Sequence, residues 1–434
     1  MVLATDAPIG DAKQRHQRSS LRYPTVRGGH FVRAALVAVG AAGVFILARD
    51  GSVQWQVVRF LVAAGLTWIS YRAVARGARA QRAGVAFAVG CVALAVGVGI
   101  GLPHLAKAGF HPMTAAGLVS LTSGLVLLGE GGVTLVRITR SWRRAIVVPG
   151  LLIAAFVVMW SLGQAVAATN VPRTSVGSTT PGDRGLRYSD VEFETIDGVT
   201  LSGWYVPSTN RAAVVLKHGA GSTRSAVLDH AVALARHGYG ALLFDARGHG
   251  RSGGRAMDFG WYGDEDTAAA VSFLRAQPDV DDARIAAVGM SMGGEEAIGA
   301  AAADRRIRAV VAEGATNRVT GDKAWLSDEF GWRGAVQEGV ERLLYDTTDL
   351  LTAASPPIAL RDAVAAAAPR PVLLIAGGAV ADEGRAGRHI QSGTPDTVEL
   401  WIVPEAGHTG ALATHPEQWE QRVTAFLAEA LAIK

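Results

Sequence analysis

A single cysteine, Cys91, stands among the 434 residues, and it lies inside an apolar run. No intrachain disulfide can form, and the count says nothing about redox compartment. Also missing are a Cys pair, a cluster of metal-ligating side chains and a phosphate-cradling glycine loop. The sequence therefore implies no metal and no cofactor. Charged residues are only 18% of the chain against 49% hydrophobic ones, and the two kinds are unevenly placed. Long apolar runs crowd the chain before residue 168 and are nearly absent after it. The formal charge of +4 comes from basic residues beside those runs, a placement that fits membrane topology and not nucleic-acid binding.

Five runs (31–48, 57–74, 84–102, 113–136 and 145–165) are each near the roughly 20 residues that cross ~30 Å of hydrocarbon. Gly, Ala and Ser recur through them, as where helices pack closely in lipid. The loops alternate in charge. A leader over 1–30 carries Lys13, Arg15, Arg18, Arg22 and Arg27; the second loop carries Arg76, Arg79 and Arg82; the fourth carries Arg137, Arg140, Arg143 and Arg144. The first and third hold little beyond Arg49 and Lys107. The positive-inside rule then predicts a cytoplasmic N-terminus, and an odd number of spans sends everything after residue 168 to the outer face. The leader has no cleavage-site pattern, so it does not read as a removable signal peptide. Membrane lipids are the expected partners. A transporter would need polar groups along one intramembrane path. Glu130 is the one ionisable group deep in a run, since Arg59 lies near an outer end and can snorkel.

Residues 169–187 are rich in Thr, Ser, Pro and Gly without periodicity, and read as a flexible tether. Beyond it, 191–195 and 199–206 alternate around Asp197-Gly198, a hairpin signal. Apolar strands follow at 212–217, 240–245, 284–289, 307–312, 371–376 and 397–403. Helical patterns at 225–237, 265–276, 292–303 and 416–431 intervene. Such alternation predicts a mostly parallel, doubly wound sheet with helices on both faces, in one domain over 188–434. The whole chain is expected to be a five-span helical bundle followed by this α/β domain.

The strand at 284–289 runs into Gly289-Met290-Ser291-Met292-Gly293, and an Ala-rich helix follows at once. Strand, sharp turn, helix is the context of a nucleophile elbow. The serine is held in a strained turn, and glycines two residues to either side let strand and helix approach without Cβ clashes. Its hydroxyl stands free above the sheet beside the first amides of the helix. A serine hydroxyl is a weak nucleophile and needs a base to take its proton.

Four motifs at strand ends, in order, carry a resemblance over the soluble half. They are Lys217-His218-Gly219-Ala220-Gly221, the stretch Asp245 to Ser252, the elbow, and Pro404-Glu405-Ala406-Gly407-His408. Together they resemble the α/β-hydrolase family, whose members follow the chain order serine, acid, histidine. The membrane half lies outside the resemblance.

The resemblance implies Ser291 as nucleophile and His408 as base. His218 and His249 are implied to be structural or to shape the oxyanion loop; His230, His237, His389 and His415 read as surface residues. The acid is expected a few residues past the seventh strand, where Val380 holds the usual position. A slightly longer turn would bring in Asp382, the first choice, with Glu383 and Glu313 as alternatives. The oxyanion donors implied are the amides of Met292 and Ala220. Asp245 and Arg247 are expected to brace the neighbouring loop. An insert at about 315–368 is implied to form a helical cap, and His218, Trp261 and Trp325 are candidates to line the substrate pocket. The function implied is a membrane-anchored serine hydrolase acting on an ester, thioester or amide, with a small-molecule, lipid or cell-envelope ester as substrate. A serine peptidase or an acyltransferase would share the machinery. A membrane scaffold with a degenerate hydrolase domain is the non-enzymatic alternative.

Overall fold

The computed structural model describes residues 28–47 and 53–433, so the basic leader up to residue 27 and Arg49 lie outside the described residues. The described residues up to Thr169 are largely helical. Helix α1 spans Gly28–Leu47, α2 Val53–Arg76 and α3 Arg79–Val96; a π-helical turn at Gly97–Gly101 joins α3 to α4, Leu102–Ala108. Helices α5 (Pro112–Ile138) and α6 (Arg144–Thr169) complete the set. The π-turn has a local reason: Pro103 has no N–H to return to the ladder, and three glycines precede it. Among the described residues, counting 79–108 as one, five helices are long and apolar enough to cross a membrane, with mean hydropathy between 1.3 and 2.4. The five apolar runs of the sequence fall in these five helices.

The second part is an eight-stranded sheet. In chain order it runs β1 (Ser189–Glu194), β2 (Thr200–Val206), β3 (Ala213–Lys217), α7 (Leu228–Arg236), β4 (Gly240–Phe244), α8 (Gly263–Arg275), β5 (Ile285–Met290), α9 (Met292–Ala303) and β6 (Val310–Glu313). The cap helices α10 (Leu326–Phe330), α11 (Trp332–Leu351) and α12 (Leu360–Ala367) follow, within the span expected for the insert. The chain then gives β7 (Val372–Gly377), α13 (Ala381–Gln391), β8 (Val398–Val403), α14 (Ala411–Thr414) and α15 (Pro416–Ala430). The strand order is β1-β2-β4-β3-β5-β6-β7-β8. The β1–β2 hairpin turns at Gly198, and β2 meets β4 antiparallel; β3 to β8 are all parallel. All eight strands lie where the sequence pattern predicts them.

Alternation along each strand builds two cores. Ala213, Val215, Ile285, Ala287, Val310, Ala312, Val372 and Leu374 face one helical layer. Their neighbours Val214, Leu216, Ala286, Val288, Val311, Leu373 and Ile375 face the other. A strand covered on both faces is apolar along its length, which is why the charged residues Lys217 and Glu313 come only at the strand ends. Every catalytic-type residue of the motifs lies at the carboxyl ends of the parallel strands, where α/β sheets place their sites.

The segment after α6 differs from the expected free tether. Arg173 donates to the Gly250 and Ser252 carbonyls, Thr174 to the Gly221 carbonyl, and the Gly177 amide to Ser225 Oγ. Part of its polar composition serves hydrogen bonds to the sheet's loops.

Candidate active site

Ser291 closes β5 and opens α9 with φ 54° and ψ −125°, a conformation that costs a side-chain-bearing residue energy. The turn is tight enough to explain both glycines. A Cβ on Gly289 would stand 2.1 Å from the Gly293 carbonyl oxygen, and one on Gly293 would stand 2.5 Å from that of Lys217. Ser291 is half-buried, and its amide donates to the Glu313 carbonyl at 2.7 Å.

His408 lies in the loop after β8, between two residues with positive φ, Glu405 and Thr409. Its Nε2 is 2.9 Å from Ser291 Oγ, and its Nδ1 is 2.6 Å from Glu383 Oε1. The second Glu383 oxygen accepts the Gly377 amide at 2.7 Å. Ser291, His408 and Glu383 thus form one hydrogen-bonded chain. The hydrogen bond and charge of Glu383 raise the His408 pKa against the opposing effect of burial, and Glu295 and Glu313 add to the rise.

The acid position corrects the first choice from sequence. Asp382 is 69% exposed and pairs with Arg385 at 3.4 Å, whereas Glu383 is 2% exposed. Helix α13 starts at Ala381, and successive helical residues point about 100° apart, so one of the pair turns inward and the other outward. Glu313 is also buried, but it serves another purpose. Its oxygens accept the Ala411 amide at 2.8 Å and the Trp419 indole at 3.1 Å, tying the loop that carries His408 to β6 and α15. Burial raises its pKa.

Met292 is the first residue of α9, where amides have no carbonyl within the helix to bond. Ala220 is exposed in the turn after β3, and that turn passes close to the serine: a Cβ on Gly219 would lie 3.2 Å from Ser291 Cβ. His218 anchors the turn. Its Nε2 accepts the Ala246 amide at 2.9 Å, which leaves Nδ1–H to donate to the Gly219 carbonyl at 2.8 Å. Burial pushes its pKa down to about 3, so it stays neutral. Asp245 accepts the Arg224 and Arg251 amides, and Arg247 pairs with Asp266 and Asp197, bracing the loop as expected.

The three candidates for the pocket wall are packed instead. His218 is spent on the latch just described. Trp261 donates to the Arg318 carbonyl at 2.8 Å and sits in a cluster with Met257, Tyr345 and Ala354. Trp325 is buried against Phe330 under the cap. Large rings at the base of the cap satisfy the cap's own core first. His230, expected at the surface, is buried edge-on against Trp419.

Sequence reasoning missed two acids under the elbow. Glu295 accepts the Thr316 and Asn317 amides, both at 2.9 Å, and burial pushes its pKa up to about 7. Glu296 meets Lys217 at 2.8 Å. The one available signal was a carboxylate in the first turn of a helix, Glu295, where the dipole favours it, with a second directly after it.

The active-site loops also touch the apolar helices. Lys107 of α4 donates to the Gly221 carbonyl at 3.3 Å, the Asp258 amide donates to the Ala168 carbonyl at 2.9 Å, and Arg255 donates to that of Thr169. The carboxyl edge of the sheet therefore faces the ends of α4 and α6.

Against known proteins, residues 208–338 match the family model described as Serine aminopeptidase, S33. An uncharacterised protein of Mycobacterium tuberculosis is 41% identical over 133 residues, 30% of this chain and 45% of that protein. A thiohydrolase of Aspergillus aculeatus is 39% identical over 128 residues, covering 29% of this chain and 40% of that one. A polyketide transferase of a Penicillium species is 36% identical over 136 residues, covering 29% and 45%. The match spans less than half the length of each of these relatives. Among solved structures, an esterase of Pyrococcus furiosus aligns with 28% identity over 60% of this chain and 98% of its own, at a TM-score of 0.48. Residues 208–338 thus resemble α/β-hydrolase-type hydrolases.

Proposed function

We propose that the chain is a membrane-anchored serine hydrolase that cleaves an ester or thioester through an acyl-enzyme on Ser291. One observation carries the reading: the unbroken chain from Glu383 through His408 Nδ1 and Nε2 to Ser291 Oγ, at 2.6 and 2.9 Å. In the first half-reaction Ser291 Oγ attacks the acyl carbonyl while His408 Nε2 takes its proton. Glu383 keeps the ring oriented and stabilises the imidazolium. The amides of Met292 and Ala220 receive the oxyanion. His408 gives the proton to the leaving alcohol or thiol, and the acyl-enzyme forms. A water then attacks, loses its proton to His408, and releases the acid as Ser291 is reprotonated.

The anchoring reading is supported by the five apolar helices among the described residues, and the alternation of basic loops favours a cytoplasmic N-terminus with the hydrolase domain outside. A lipid or cell-envelope ester is the substrate class that suits a domain held with its site toward the span ends. The relative named as a polyketide transferase favours a second reading, in which the acyl group passes to an acceptor other than water. The test is turnover of short-chain aryl esters and thioesters by the full chain in detergent. Hydrolysis that vanishes in Ser291→Ala supports the proposal. Equal rates in the two proteins, or none in either, favour the scaffold alternative.

A further inference from the structure

We propose that cap helix α11 lies in the outer leaflet of the bilayer, with Trp332, Val336, Leu343 and Leu350 among the lipid acyl chains. The inference rests on the membrane-spanning reading of α1 to α6 and adds to it a contact made by the hydrolase domain itself.

The first observation is a stripe. Trp332, Val336, Leu343 and Leu350 are 74%, 60%, 45% and 81% exposed. At about 100° per residue their positions fall within roughly 40° of one another on the helix. The residues that pack inward, Gly334, Glu341, Leu344, Tyr345 and Thr348, lie on the opposite side. So α11 buries one face on the protein and turns a second apolar face outward. Arg342, Asp346 and Asp349 flank that stripe on one side and Arg333 on the other. A narrow apolar sector between charged flanks is the pattern of a helix lying in a membrane interface.

The second observation identifies the occupant. The stripe is continuous with the surface of the apolar bundle. Leu351 joins a cluster with Ile46, Ile100, Met113 and Val166, and Leu350 borders a crevice that Ile46 and Leu47 of α1 share with Arg59, Asn170 and Arg255. Ten residues earlier, Glu341 lies beside Trp160 of α6. From 341 to 351, α11 therefore tracks α6 from 160 to 166, alongside the outer half of a span. That span exposes Leu152, Ile153, Phe156 and Trp160. Whatever solvates those side chains reaches the stripe beside them. At the far end, Arg385 stacks on Phe330 and Arg333 on Trp332, at 5.4 and 5.6 Å.

The consequence is a cap with its outer face in lipid, over a site whose own loops touch α4 and α6. An acyl ester dissolved in the leaflet would meet the cap before it met water.

The test uses the full chain in a Cys91→Ala background, reconstituted in phosphatidylcholine vesicles with brominated acyl chains. Single cysteines at Leu343, Val336, Asp346 and Leu152 carry an environment-sensitive fluorophore. The proposal expects Leu343→Cys and Val336→Cys to be quenched by bromolipid to the same extent as Leu152→Cys, with Asp346→Cys quenched by aqueous iodide. It is overturned if both stripe positions respond to iodide, or to neither quencher as when a second copy covers them, while Leu152→Cys stays lipid-quenched. Iodide quenching at Leu152→Cys would instead remove the membrane reading, and the proposal with it.

Discussion

Glu383 joins two loops through one carboxylate: Oε1 holds His408 Nδ1 at 2.6 Å, and Oε2 holds the Gly377 amide at 2.7 Å. The second bond fixes the first, because a carboxylate clamped to β7 cannot rotate away from the ring. Replacing Glu383 with Gln keeps the shape but gives Nδ1 an amide with no charge to stabilise the imidazolium. Turnover should fall by roughly 10³–10⁴, the scale seen when a triad acid is neutralised. Asp382→Asn should leave kcat near the wild-type value. Equal losses in the two variants would contradict the assignment.

The pH profile follows from the same contact. Catalysis needs His408 neutral, and Glu383 raises its pKa above the ordinary value of about 6.5. The acid limb of kcat/KM should therefore lie above that value and move down in Glu383→Gln. Stability has its own sign. A raised histidine pKa means that the folded state favours the charged ring. This contribution is fully present below about pH 6.5 and is lost as pH rises through the folded-state value. Urea midpoints measured across that window, wild type against His408→Ala, should converge at the alkaline end.

Gly314 is placed to test how finely the ring is held. It has φ +70°, and a Cβ there would lie 2.9 Å from His408 Cε1. Gly314→Ala should displace the imidazole from Ser291 and lower kcat by roughly 10²-fold, the cost of a misplacement near 1 Å. The fold should survive, with a lowered Tm from the positive φ. An unchanged kcat would show that the ring adjusts freely.

Lys107 couples the apolar helices to the turn holding Ala220, through the Gly221 carbonyl at 3.3 Å. Lys107→Ala should reduce kcat about three- to tenfold with little change in KM, the loss of about one hydrogen bond's worth of positioning. Lys107→Arg should recover most of it. A change in KM alone would place the effect on binding.

Much of this arrangement is written in local patterns. The elbow is legible because its glycines, strand and helix are adjacent in sequence, and β3 to β7 are legible because strands buried on both faces are short, nearly unbroken apolar runs. The acid is not legible. Whether Asp382 or Glu383 turns inward depends on the residue at which α13 begins, and one position of slip exchanges them. The segment 170–188 carries a linker's composition, yet its bonding partners Gly250, Ser252 and Gly221 are distant in sequence. His230 looks like a solvated helix residue until α15 brings Trp419 over it. These outcomes depend on long-range packing, which periodicity does not encode.

The most direct measurement is covalent labelling of the full chain by a fluorophosphonate probe, with the modified residue located by peptide mass. The account predicts a single adduct on Ser291, absent in Ser291→Ala and strongly slowed in His408→Ala and Glu383→Gln. A folded wild-type protein that takes no label, or takes it on another serine, would contradict the account.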